Sequence, residues 1–148
     1  MPLTKSRALL FLEPLNAAMV EFEINTPLRI AGFMPQVGHE SGRFQFMEEI
    51  ASGAAYDNRV DLGNTNPVAI AIAAAHGTTP GRFWKGHGPL QVTGYNNHLL
   101  MMMELGIDCV ENPKLLTEPL NGCRAAGHFW KTNNLNRFAD IGDIDGMS

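Results

Sequence analysis

Apolar residues in this chain recur three and four positions apart, in short runs that end at glycine, proline or asparagine. That spacing restricts the chain to a packing of short amphipathic helices, because it lines one side of a helix and scatters over both faces of a strand. Leu15, Ala18, Met19 and Phe22 form one such face and predict a helix from Pro14 to Phe22. The apolar patch before it, Ala8 to Leu12, is closed by Glu13-Pro14. Asn25-Thr26-Pro27 is a start signal, with Thr26 as cap and Pro27 in the first turn. Leu28, Ala31, Phe33, Met34 and Val37 then lead to His39-Glu40, where Ser41-Gly42 is a helix-ending pair. Pro35 lies inside this helix and removes one backbone hydrogen bond, a cost of ~3 kcal/mol that a bend would relieve.

Helical spacing returns at Tyr95 to Leu105, with Leu99, Leu100, Met102 and Met103 as core candidates and Gly106 as the stop. A further helix starts near Glu118-Pro119 and runs to Lys131, with Leu120, Cys123, Ala126, Gly127 and Trp130 along one side. Asn133-Asn134 ends it, and Leu135 to Ala139 forms one more turn. Few stretches alternate with period two, so the fold class is mainly α, with a loop-rich middle between Ser52 and Gly88. Within that middle, Val68 to His76 is an apolar run whose periodicity fits a buried helix or a strand equally well.

Composition narrows the function. At 148 residues the chain reads as one domain, 1–148, with 45% apolar and 18% charged residues. A net charge of −4 and the lack of any Lys/Arg run argue against nucleic acid as a partner. Cys109 and Cys123 form either one bridge or two buried thiols, and neither has metal-ligand spacing to a histidine. The patch from Ala8 to Leu12 is too short for a secretory core or a membrane span, so the expectation is a protein made in the cytoplasm without a signal peptide.

Two glutamates nine residues apart, Glu40 and Glu49, carry the chemistry. Nine helical steps of about 100° would put them on opposite faces of one straight helix. They can cooperate only if the helix ends between them, and Gly42 allows that. At a helix C-terminus the macrodipole favours the protonated carboxyl, which makes Glu40 the general acid and Glu49 the base. Sugar hydrolysis needs such a pair, together with polar groups that orient sugar and water. Lys85 to Asn97 supplies them: Gly86, Gly88 and Pro89 make a turn, and alternation places Gln91 and Thr93 on one side of an extended segment. Asn97, about one helical turn after Thr93, completes the cluster.

The chain resembles family 19 glycoside hydrolases, the plant-type chitinases and phage or prophage endolysins, with the shorter endolysin branch more similar. The resemblance rests on Leu15 to Met19, Thr26 to Arg29, Gln36-Val37-Gly38-His39-Glu40-Ser41-Gly42, Glu48-Glu49, Asp61 to Thr65, Lys85-Gly86, Gly88-Pro89-Leu90-Gln91-Val92-Thr93-Gly94, Asn112-Pro113 and Ala126 to Lys131. These stretches appear in order over about residues 15 to 143. The resemblance implies a lysozyme-like helical domain that hydrolyses β-1,4-linked N-acetylated glycans with inversion, with no metal or organic cofactor. Glu40 matches the general acid, and Glu49 the base with Glu48 as the fallback. Gln91, Thr93 and Asn97 match residues that bind sugar and position water, and His39 and Tyr56 join the substrate-binding set. The endolysin branch implies peptidoglycan as substrate, a monomer, and action at the cell wall.

The chain departs from the family at several points. His87 stands where arginine is usual, exchanging a cation near the cleft for a titratable group. Gly32 and Pro35 replace better helix formers. Val68 to Thr79 reads as an insertion or divergent loop. The chain stops at Gly142 to Ser148, where family members continue into a further helix and an Asn-Gly-Gly stretch that closes the cleft. The mild acidity departs from the basic surface of many cell-wall enzymes. The primary expectation is a peptidoglycan hydrolase. The alternatives are a non-catalytic truncated remnant that retains the fold or glycan binding, a chitinase acting on chitin oligomers, and a lytic transglycosylase using one glutamate acid and no base.

Overall fold

The computed structural model of the protein describes residues 5–40 and 48–142, without the side chains of residues 7, 8 and 38–40. Ser41-Gly42, the side chains of His39 and Glu40, and the last six residues therefore lie outside the described residues. The architecture is helical as read from the spacing. It comprises α1 (Lys5–Glu21), α2 (Pro27–Glu40), α3 (Pro67–Ala75), α4 (Pro80–Phe83), α5 (Tyr95–Leu105), α6 (Pro119–Thr132) and α7 (Leu135–Asp140). Short 3₁₀ turns lie at Ala54–Tyr56, Val60–Leu62 and Pro113–Thr117. No strand forms among the described residues, only isolated antiparallel bridges of His87 with Glu48 and with Val92. No described helix is long and apolar enough to cross a membrane.

α1 begins earlier than the sequence signals indicate and runs straight through Pro14. The lost backbone bond is outweighed by burial: Phe11, Leu15, Ala18 and Phe22 form one continuous buried face, and Phe11 joins it only if the helix extends upstream of the proline. That face lies along α6, its most extensive partner. The contact is close because Gly127 has no side chain; a Cβ there would sit 2.4 Å from Phe22 Cδ2. Arg124 of α6 clasps both carboxylate oxygens of Glu21 at 2.9 and 3.1 Å and the Leu105 carbonyl at 3.1 Å.

α2 starts as predicted. Thr26 Oγ1 accepts from the Arg29 N–H at 3.2 Å, satisfying one free donor of the first turn. The helix continues through Pro35 to Glu40. Phe33 and Val37 anchor it, Phe33 edge-on to Trp130 with ring centres 5.5 Å apart. Leu28 and Ala31 face solvent instead. A bidentate pair from Arg29 to Asp140, both bonds 2.8 Å, ties α2 to α7. Helices α1, α2, α6 and α7 thus make one core, and it holds Val37 three residues before Glu40.

A second core gathers Ala69, Ala73, Trp84, Tyr95 and Val110, and a third joins α5 to α6 through Met101, Cys109, Leu116 and Ala125. The run from Val68 is a helix, capped by Asn66 Oδ1 accepting from the Val68 N–H at 2.9 Å. It buries only the stripe Ala69 and Ala73. It is therefore a helix rather than a strand, and a surface helix rather than a buried one. The bounds of α5 match the prediction, but its inward face is rotated: Tyr95, His98 and Met101 are buried, while Leu100 is 41% and Met103 73% exposed. Leu120 of α6 is likewise exposed, while Cys123, Ala126, Gly127 and Trp130 are buried as expected. Cys109 and Cys123 are both free, buried thiols in different cores.

Candidate active site

Glu49 is held by a segment nearly forty positions further along the chain. Its backbone N–H donates to the Gly86 carbonyl at 2.8 Å, and the Gly86 N–H returns a 3.3 Å bond to Glu49 Oε1. The Tyr56 hydroxyl donates to the same oxygen at 3.0 Å. Both bonds fall on Oε1; among the described residues none reaches Oε2. Burial and the bond to Glu49 both raise the Tyr56 pKa, the bond more, so the phenol stays protonated and remains a donor. Tyr56 is itself positioned by the buried Asn64, whose Nδ2 donates to the Tyr56 carbonyl at 2.8 Å while its Oδ1 accepts from the first N–H of α5 at 3.0 Å.

Glu48 faces the other way. It stands opposite His87 across an antiparallel bridge, and neighbours on an extended segment point to opposite sides. Its carboxylate lies 3.2 Å from Lys85 Nζ.

Gly86 also packs against Gln91. A Cβ on Gly86 would lie 2.5 Å from Gln91 Oε1, so the Gln91 amide packs directly over the glycine whose N–H binds Glu49. Gln91 is not in an extended segment: its φ is +53°, in the turn after Gly88-Pro89, and its Nε2 donates to the Gly88 carbonyl at 3.0 Å. Thr93 Oγ1 donates to the Gln91 carbonyl at 2.9 Å, and Asn97 Nδ2 to the Thr93 carbonyl at 2.8 Å. Gln91, Thr93 and Asn97 thus come together through turn geometry rather than strand alternation. They line one side of a cleft of about 300 Å³. The same cleft is also lined by His128 and Phe129 of α6 and by Asn133 just past its end.

His87 is not a titratable group on the cleft wall. It is 2% exposed, with Nδ1 3.1 Å from His98 Nε2. His98 Nδ1 lies 2.7 Å from the Gly94 carbonyl, which can only accept, so that nitrogen carries the proton. His98 Nε2 therefore accepts and His87 Nδ1 donates. Burial is the main cause that lowers both rings, His87 to about 4 and His98 to about 3, and both are neutral at pH 7. His87 and His98 thus form a neutral buried pair bracing the turn that carries Gly86 and Gln91.

Of the predicted site residues, Glu49 and Tyr56 meet at Gly86, over which Gln91 packs; Gln91, Thr93 and Asn97 line the cleft, whereas Glu49 and Tyr56 do not. It places Glu40 at the end of α2. Gly86 as a donor, Asn64 as the brace of Tyr56, and the α6 wall were not read as functional. A tight Gly-x-Gly-Pro turn beside polar residues is the signal for the first; the other two depend on tertiary packing.

No protein-family model matches the chain. An endochitinase of Arabidopsis thaliana is 30% identical over 105 residues, covering 70% of this chain and 32% of the relative. A second Arabidopsis thaliana endochitinase is 28% identical over 105 residues, with the same coverage. The matched part is thus about a third of the length of these plant relatives. Among solved structures, chitinase C from Streptomyces griseus superposes with a TM-score of 0.67 at 16% identity, covering 99% of this chain and 79% of that one. A bacterial family 19 chitinase gives 0.60 at 20% identity, over 88% and 68%. The chain therefore has the lysozyme-like helical fold of the family 19 chitinases.

Proposed function

We propose that this chain is a glycoside hydrolase that cleaves β-1,4 bonds of peptidoglycan with inversion, Glu40 acting as general acid and Glu49 as general base. One observation carries this reading. Glu49 is fixed through Oε1 by a phenol and by the backbone N–H of Gly86, so Oε2 remains to take a proton from water, and the Gln91 amide packs over that same glycine, where it can help orient the water. In the reaction, the Glu40 carboxyl protonates the glycosidic oxygen as its bond to the anomeric carbon breaks. Water attacks that carbon from the opposite face and loses its proton to Glu49. Inversion needs the two carboxyl groups ~6.5–9.5 Å apart to admit the water. Glu40 on α2 and Glu49 on an extended segment tied to Gly86 are carried by different elements, which suits that separation better than one continuous helix. Glu48, paired with Lys85 on the opposite side, is not the base.

A second reading has its own support: the similar plant proteins and solved structures are chitinases, which favours action on chitin oligomers by the same residues. Release of reducing ends from purified peptidoglycan and, in parallel, from a chitin oligomer separates the two. Glu49→Gln separates a hydrolase from a lytic transglycosylase. The hydrolase loses nearly all activity; the transglycosylase, which needs no base for water, keeps most of it.

A further inference from the structure

On the Glu48 side of the same segment lies a pocket of about 480 Å³, within the range of small-ligand sites. Its charges are arranged in a specific way. Lys85 neutralises Glu48 at 3.2 Å, and Glu111 accepts from His76 Nε2 at 2.9 Å. His76 stacks on Phe83 with ring centres 4.6 Å apart, forming a flat aromatic wall. Arg82 and Lys114 also line the pocket and make no ion pair among the described residues. A chain of net charge −4 therefore presents on a concave surface two cations that are unpaired among the described residues, with a carboxylate and an aromatic wall beside them.

We propose that this pocket binds the peptide substituent of the wall polymer, with Arg82 and Lys114 holding its carboxylates and Glu111 facing the ammonium of its diamino acid. The assignment rests on the peptidoglycan reading above. A bare N-acetylglucosamine polymer is uncharged and offers these residues nothing; a glycan bearing short peptides offers carboxylates and an amine on one flexible stem. The placement suits such a branch. Glu49 faces the glycan chemistry and Glu48 the pocket, so the two sites are separated by the thickness of one extended segment. A peptide extending about 3.3–3.6 Å per residue passes round it. Arg82 takes a carboxylate through paired N–H groups, and Lys114 acts as a point charge.

The test uses a soluble stem tetrapeptide, L-Ala-D-isoglutamyl-diaminopimelyl-D-Ala, titrated into the full chain by calorimetry. The C-terminal amide of the same peptide and inorganic phosphate serve as comparisons. Binding that weakens about tenfold or more in the Arg82→Gln/Lys114→Gln variant, and on amidation, is the expected result. Equal affinity of wild type and variant, or no saturable binding, overturns the proposal. So does phosphate binding as tightly as peptide, which would mark a generic anion site. Hydrolysis keeps the two readings apart. The double variant should raise KM on peptide-bearing strands and leave cleavage of enzymatically stripped strands unchanged. If wild type cuts neither strand, the hydrolase reading fails while the binding result stands. If it cuts both and the variant slows them equally, the peptide pocket fails alone.

Discussion

The Tyr56 hydroxyl donates a 3.0 Å hydrogen bond to Oε1 of Glu49, the oxygen that also receives the Gly86 N–H. Tyr56→Phe removes one of two donors to a carboxylate, an interaction worth ~1.5–3 kcal/mol. Activity should fall about ten- to a hundredfold, mostly in kcat, with the fold unchanged by circular dichroism. The pKa of Tyr56 is raised chiefly by that same bond, so its ionisation should move back toward the ordinary tyrosine range in Glu49→Gln. Ultraviolet difference titration of the wild type, Tyr56→Phe and Glu49→Gln reads this directly. An unchanged transition in Glu49→Gln would contradict the pairing.

Gly86 sits between Glu49 and Gln91, and an alanine Cβ there would meet Gln91 Oε1 at 2.5 Å. The closest atom is the end of a flexible side chain that can swing away, while Gln91 Cβ at 3.2 Å needs a shift of only a few tenths of an ångström, so the fold survives mainly by moving Gln91. Gly86→Ala should therefore lose tenfold or more in kcat/KM while its melting temperature shifts by only a few degrees. A variant that keeps full activity would remove Gln91 from the site.

The buried histidine pair makes the fold acid-sensitive. Both rings titrate below their unfolded value of about 6.5, so the unfolded chain binds more protons through this window. Stability is then fully present above about pH 6.5 and is lost as pH falls toward about 4 for His87 and about 3 for His98. His87 alone contributes on the order of 3 kcal/mol to that loss. Urea midpoints measured from pH 7 to pH 4 should fall steeply, and the slope should flatten in a His87→Gln/His98→Gln double variant. An equal slope in both proteins would contradict the assignment.

Gly127 allows α1 and α6 to touch, since a Cβ would lie 2.4 Å from Phe22 Cδ2, in a ring already packed in the core. Gly127→Ala should destabilise the protein by about 1–3 kcal/mol through overpacking, despite alanine's better helix propensity. Denaturant unfolding checks it; a stabilised variant would show that the helices can separate freely.

Local signals were read correctly where they are chemically strong. Thr26-Pro27 starts α2, Gly106 stops α5, and Asn133-Asn134 closes α6, because caps, prolines and positive-φ residues act over one or two positions. Sequence signals start α1 too late because the cost of Pro14 is local, while the burial of Phe11 that outweighs it is tertiary. The inward face of α5 was rotated for a similar reason: buried His98 needs partners at Gly94 and His87, and hydrophobicity alone ranks Leu100 and Met103 above it. At the site, residue types were legible and their connections were not. Glu49, Tyr56 and Gln91 meet only because Gly86 returns from far along the chain.

The most direct measurement is reducing-end release from purified peptidoglycan by the wild type, Glu49→Gln, Glu40→Gln and Glu48→Gln, each shown to be folded. The account predicts activity in the wild type, its near-complete loss in the first two variants, and its retention in Glu48→Gln. A folded wild type without activity on either peptidoglycan or a chitin oligomer would contradict the central claim, and so would a Glu49→Gln variant that works as well as the wild type.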